Sequence, residues 1–222
     1  DVSRATNYTG GTDNRWRFVQ FGDVSLAVNQ TEPLQASSSG VFADVAGSPK
    51  ARFIESVAGF VMLAGTNEAT YGDSTDRWWC SGLYDHTVWT PSIATQCATG
   101  RLVDAPRDIR ALKRLGNDVV AYKERSMFIG SFVGAPLIWT WTQIPGEVGT
   151  PSSEAVINIG SQHVFIGQED IYTFDGTRPV SIGSPVKQWF FSVFHPAYRY
   201  KIIGTHDRSK SLAKFYYVSA NS

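Results

Sequence analysis

The chain has 222 residues, with 20 Lys+Arg against 20 Asp+Glu, so its formal net charge is zero. That balance excludes a nucleic-acid binder or an acidic disordered tail that works through bulk charge. A hydrophobic share of 42%, with 13% aromatic residues, supplies a sizeable core and excludes disorder of the whole chain. The length suits one all-β domain over residues 1–222. The longest strongly apolar run, Val57 to Ala64, falls far short of the ~20 residues a membrane helix needs, so no membrane span is expected. The opening Asp1-Val-Ser-Arg-Ala carries neither an initiating Met nor a signal-peptide layout, and both ends read as cuts, from processing or from a longer chain.

In chain order, short β-rich runs alternate with Gly, Asp, Asn, Ser and Pro. Strands are expected at Val24–Val28, Phe60–Leu63, Val119–Tyr122, Met127–Ile129, His163–Ile166, Ile171–Phe174 and Phe215–Val218. The best helical candidate, Pro106–Leu115, lacks a capping signature. Ile109–Leu115 is read instead as a strand, followed by a Gly-Asn-Asp hairpin turn.

The pattern also repeats. A Gly precedes an apolar strand at Gly22, Gly59, Gly116 and Gly160, at intervals of 37, 57 and 44 residues, and another 44 lead to Gly204. The segment Lys123 to Ile129 falls opposite Gly167 to Thr173 in this alignment. A degenerate period near ~45 residues, built of hairpins, is the sequence form of β-propeller blades, four or five of them here. The long second interval implies a loop insertion at Thr66–Arg77. A Greek-key β-sandwich is the alternative, because short strands at regular spacing suit both.

Catalytic signatures are missing. There is no Gly-x-Ser-x-Gly elbow, P-loop, Gly-x-Gly-x-x-Gly or His-Glu-x-x-His. The four histidines (His86, His163, His195 and His206) share no metal spacing, and His163 reads as a packed or surface residue of a strand. Cys80 and Cys97 are too few for a disulfide scaffold, though one bridge between them stays open. Glu169-Asp170 reads as a solvated turn rather than a glycosidase pair, and Asp175-Gly176 as a tight hairpin end. Ser81 to Trp89 faintly resembles the Asp-box of sialidase-like propellers but lacks its spacing and central Gly. The sequons at Asn7 and Asn29 are read as chance. No catalytic, cofactor-binding or metal-ligating residue is nominated, no cofactor is expected, and the chain is read as a non-enzyme.

Aromatic clusters stand at Trp78-Trp79, Trp89, Trp139 with Trp141, and Trp189-Phe190-Phe191. Trp139 and Trp141 share one strand face, which suits either packing between repeat units or stacking on sugars or bases. Charge is zoned: residues 1–100 hold 6 Lys+Arg and 10 Asp+Glu (−4), 101–125 hold 7 and 4 (+3), 126–186 hold 1 and 5 (−4), and 187–222 hold 6 and 1 (+5). Two basic patches result. Arg107, Arg110, Lys113 and Arg114 form one; Arg199, Lys201, Arg208, Lys210 and Lys214 form the other. Subunit contact or a solvated face suits them better than phosphate binding, and no nucleic-acid-binding residue is assigned.

The runs Trp16 to Asn29, Pro49 to Ile54, Arg77 to Gly82, Val88 to Ser92, Ile109 to Leu112, Gly116 to Ile129, His163 to Gly176 and Pro185 to Phe191 together resemble the tail nozzle or tail hub proteins of short-tailed bacteriophages. These are also called packaged-DNA stabilisation proteins, of the tail tubular type. The resemblance spans residues 16–191 and lies in blade-like pattern rather than in reactive residues. It implies a structural virion protein: a homo-oligomeric ring, hexameric in the family, seated below the head-to-tail adaptor. Such a ring retains packaged double-stranded DNA, encloses it without sequence recognition and conducts it during genome ejection. It implies assembly in the host cytoplasm and residence in the phage tail. The alternative reading is a carbohydrate-binding or glycoside-cleaving propeller, motivated by the Trp clusters and acidic segments.

Overall fold

In a computed structural model, residues 2–12 and 14–220 are described, and the fold is all-β. Four sheets follow one another, each a four-stranded antiparallel meander in strict chain order. The first holds β1 (Arg17–Phe21), β2 (Val24–Val28), β3 (Gln35–Ser37) and β4 (Ala43–Asp44); the second holds β5 (Lys50–Val57), β6 (Phe60–Glu68), β7 (Gly72–Cys80) and β8 (Ala98–Arg101). The third holds β9 (Ala111–Leu115), β10 (Asp118–Tyr122), β11 (Met127–Gly134) and β12 (Ile138–Ile144). The fourth holds β13 (Val156–Asn158), β14 (His163–Ile166), β15 (Ile171–Phe174) and β16 (Pro179–Ser181). A short helix α1 (Lys187–Val193) leads to a final hairpin of β17 (Ile203–Asp207) and β18 (Leu212–Tyr216).

Turn chemistry starts each sheet. Phe21 pairs with Val24 around Gly22 (φ 56°), and Leu115 with Asp118 around Gly116 (φ 62°). Those left-handed angles cost a Cβ-bearing residue energy that glycine does not incur. Gly59 and Gly160 occupy the equivalent turns of the second and fourth sheets, so the repeated glycine marks the link between first and second strands.

The apolar runs that follow are buried on both faces. Val119 and Ala121 of β10 enter the core shared with the second sheet, whereas Val120 and Tyr122 enter the core shared with the fourth. The period of two sends neighbours to opposite faces, so a strand covered on both sides reads as a continuous hydrophobic run. One core joins sheets one and two around Leu26, Val28, Leu63 and Trp79. The last joins the fourth sheet to α1 and the hairpin through Ile166, Phe190, Phe194 and Phe215. At roughly 1.5–3 kcal/mol per large buried side chain, these cores are the main stabilising term.

Strands β2, β14 and β15 coincide with their expected ranges, and the segment 109–115 is a strand over Ala111–Leu115, not a helix. Several expectations are corrected. Thr66–Arg77 is no loop insertion, because β6 and β7 extend through it as a long hairpin whose outer end is solvated. The extra length of that repeat sits at residues 81–97, between β7 and β8. Gly204 is not a turn glycine but lies inside β17, where its Cα faces Ile157; the polar stretch after it is the hairpin turn. The strand expected at Phe215–Val218 runs instead from Leu212 to Tyr216. Helix α1 has no helical signal in the sequence. Its N-cap, Val186, makes no side-chain capping bond, and burial of Phe190 with Phe194 behind it holds the helix in place.

Candidate functional site

Every extensive backbone approach between different sheets involves a first strand among the described residues: β1 lies beside β5, β5 beside β9, β9 beside β13, and β13 beside β17. The sheets therefore fan outward from a line of first strands. Each first strand is also a sheet edge, whose outward backbone groups need partners. Side chains from the neighbouring sheets supply them. Arg17 of β1 donates from Nη1 to the Arg52 carbonyl of β5 at 2.9 Å. The Arg114 amide of β9 donates to Glu55 Oε2 of β5 at 3.1 Å. The Arg114 carbonyl accepts from Asn158 Nδ2 at 2.6 Å and from His163 Nε2 at 2.8 Å, both from the fourth sheet.

An ion pair spans the fan. Arg17 Nη2 meets Glu154 Oε1 at 2.8 Å, joining residues 137 positions apart, while Arg17 also lies 4.8 Å above the Phe53 ring. Lys113 stands in the field of Glu55 and Glu154. Burial lowers the Lys113 ammonium pKa, with those carboxylates opposing it, and burial raises the Glu55 carboxyl, with the Arg114 and Ser56 amides opposing. The axial line thus carries Arg17, Lys113 and Arg114 with Glu55 and Glu154 among them, three cationic side chains beside two carboxylates, and Arg17 is ion-paired with Glu154.

His163 belongs to this hub as a structural residue. Its Nε2 faces a carbonyl, which only accepts, so Nε2 carries the hydrogen; Nδ1 then accepts from the Tyr122 hydroxyl at 2.7 Å. Burial holds its pKa down at about 4, against the pull of the Arg114 carbonyl bond. The other histidines lie elsewhere: His86 on the Phe21 ring, His195 on Tyr198, and His206 in β17. Among the described residues no group of three or more His, Cys, Asp or Glu is placed to hold a metal.

Cys80 and Cys97 are free thiols in different cores, Cys80 between sheets two and three and Cys97 between one and two. Burial pushes their pKa values up to about 12 and about 11. Trp139 and Trp141 both pack into the core between sheets two and three, and Trp78 joins them there while Trp79 turns to the other side. Trp189 is exposed on α1. Of the acidic pair, Glu169 is solvated, but Asp170 is buried and accepts from Ser181 Oγ, Lys187 Nζ and the Ile171 amide. Desolvation raises its pKa, and the three donors outweigh that and lower it. Asp170 anchors α1 to the fourth sheet, a role that its turn context in the sequence hid. Asp85 and Asp175 each cap their own turn by accepting from the Thr two residues on. Asn29 is buried and ties down the Thr31 and Glu32 amides.

Neither basic patch survives as a unit. Arg107 pairs with Glu124 at 2.7 Å, Lys113 sits in the axial set, Arg199 donates to Gln168, and Lys214 pairs with Asp207 at 2.9 Å. Arg208 and Lys210 remain exposed in the last turn. No helix among the described residues is long and apolar enough to cross a membrane.

No protein-family model and no curated protein matches the chain. Among solved structures it is similar to a protein of Bacteroides fragilis described as exported, at 10% identity over 90% of this chain and 70% of that one, with a TM-score of 0.42. A likeness that low carries no argument about function.

Proposed function

We propose that the four meanders are consecutive blades of a β-propeller-type scaffold, with the C-terminal hairpin beginning a fifth. We further propose that the chain is a structural subunit of a short-tailed phage tail nozzle, part of a ring of identical copies below the head-to-tail adaptor. The observation that carries the reading is the fan of meanders converging on their first strands. Blades of a propeller converge in this way on a central line. The phage assignment itself rests on the sequence resemblance.

The axial chemistry suits that role. A path that must release DNA cannot hold many unpaired cations, since each neutralised phosphate adds affinity and salt dependence. Arg17 is tied to Glu154 and Lys113 stands in the field of two carboxylates, so part of the positive charge on that line is masked. Electron microscopy of the protein mixed with its adaptor and tail components tests the reading. A ring of copies below the adaptor is expected, and a particle that never joins the tail overturns the proposal.

A further inference from the structure

Arg77, in the third strand of the second sheet, is a buried cation without a counter-ion. It is 9% exposed, and its one hydrogen bond among the described residues runs from Nη1 to Thr99 Oγ1 at 3.3 Å. Its Nε is buried with no partner. The guanidinium carbon lies 3.8 Å from the Tyr71 ring centroid. A ring face offsets part of the cost of desolvating a cation but takes none of the hydrogens in the guanidinium plane. A charge so far from water is costly unless something of opposite sign meets it.

The carboxylates of this hairpin are engaged elsewhere. Glu68 accepts from the Thr70 and Tyr71 amides, Asp73 pairs with Arg52, and Asp76 pairs with Arg101. Register brings in a second cation, because Arg77 stands directly opposite Arg101 in the β7–β8 ladder. Like charges so placed repel. Arg101 grips Asp76 side-on, with Nε on Oδ1 at 2.8 Å and Nη2 on Oδ2 at 2.9 Å. The Nε edge of Arg77 meets no such carboxylate among the described residues. Two opposed guanidinium groups therefore have one carboxylate between them. Tyr71, 48% exposed at the β6–β7 turn, covers Arg77 and leans on Trp79 at 6.1 Å between ring centroids.

We infer that Arg77 is an anion-binding residue: its Nε edge takes a small oxyanion side-on, a carboxylate or phosphate group, beneath the Tyr71 ring. Arg101 on Asp76 shows the same grip within the chain, and a charged two-point contact of this kind is strong and directional. Packing alone does not require arginine here, since a methionine would fill the space under Tyr71 without a charge to desolvate. The inference does not depend on the scaffold reading above.

Isothermal titration of the whole chain with sodium phosphate and, separately, with sodium acetate tests it, in a buffer free of other oxyanions. Wild type is expected to take up one anion per chain, saturably, from at least one of the two salts. Arg77→Met should bind at least ~10-fold more weakly. Arg208→Gln, which removes an exposed cation in the last turn, should bind as wild type does. Without either salt Arg77→Met should melt at or above wild type, because the lone charge is gone, and added anion should raise the melting temperature of wild type alone. If Arg77→Met does not fold, Arg77→Lys keeps the charge but not the fork and should also lose binding. The buried Nε–H proton signal of wild type, absent from Arg77→Lys, should then move as anion is added. Uptake of acetate alone identifies a carboxylate ligand and uptake of phosphate alone a phosphate group, and either supports the site. A wild type that takes up neither anion overturns it. So does equal binding by Arg77→Met, or an equal loss in Arg208→Gln, which marks a response to overall charge. An Arg77→Met chain destabilised to the same extent with and without anion makes Arg77 a packing residue and overturns the site as well.

Discussion

His163 shows how a residue type usually scanned for catalysis serves as a neutral bolt. Its folded pKa of about 4 lies below the ordinary 6.5, so the unfolded chain binds its proton more readily. The stabilisation is therefore complete above pH 6.5, is lost progressively as the pH falls towards 4, and levels off below. Its size is on the order of 3 kcal/mol. Denaturant midpoints of wild type and His163→Gln should differ most at neutral pH and converge as the pH falls through that window. Gly149 makes a second, purely steric test. A Cβ there would stand 2.2 Å from the Lys123 carbonyl oxygen and 2.7 Å from the Glu124 carbonyl carbon, both backbone atoms with no room to yield. Gly149→Ala should cost at least ~2 kcal/mol in chemical denaturation, as overpacking against fixed backbone does.

Between the sheets, single side chains do work that no ladder can. Lys123, fully buried after β10, donates from Nζ to the Leu102 and Ala105 carbonyls, each at 2.6 Å, and so fastens the segment that links the second and third sheets. Lys123→Met keeps the stem but strands both carbonyl oxygens, and should lower unfolding free energy by about 3 kcal/mol in a denaturant titration. The sequence made part of this architecture legible. The turn glycines and the two-faced apolar runs are local, so Gly22, Gly59, Gly116 and Gly160 mark the sheets in the sequence itself. The long β6–β7 hairpin was hidden because its outer end is polar, and polar residues read as loop. Helix α1 was hidden because tertiary burial of Phe190, not propensity or capping, holds it. The hub at Arg114 could not be read at all: Glu55, Asn158 and His163 lie 59, 44 and 49 residues away and share no motif.

At the scale of the whole molecule, zero net charge conceals zones that the fold partly cancels in place. If the axial carboxylates serve to mask cations, Glu55→Gln with Glu154→Gln should expose them while Gln keeps the acceptor for the Arg114 amide. Filter binding to duplex DNA should then tighten, with the slope of log K against log salt steeper by up to roughly 0.9 for each cation released. An unchanged slope would mean that those cations never meet phosphate.

Every strand pairs with a strand adjacent in the chain, and each sheet uses one contiguous segment. A nascent chain leaving the ribosome at roughly 5–20 residues per second delivers a complete sheet of about 45 residues every few seconds. Each finished sheet offers an apolar face on which the next can settle, so growth proceeds from the N-terminus without waiting for distant partners. The Arg17–Glu154 pair is the exception: it cannot form until residue 154, just ahead of the fourth sheet, emerges, which makes it a late latch on a structure otherwise built in order of synthesis.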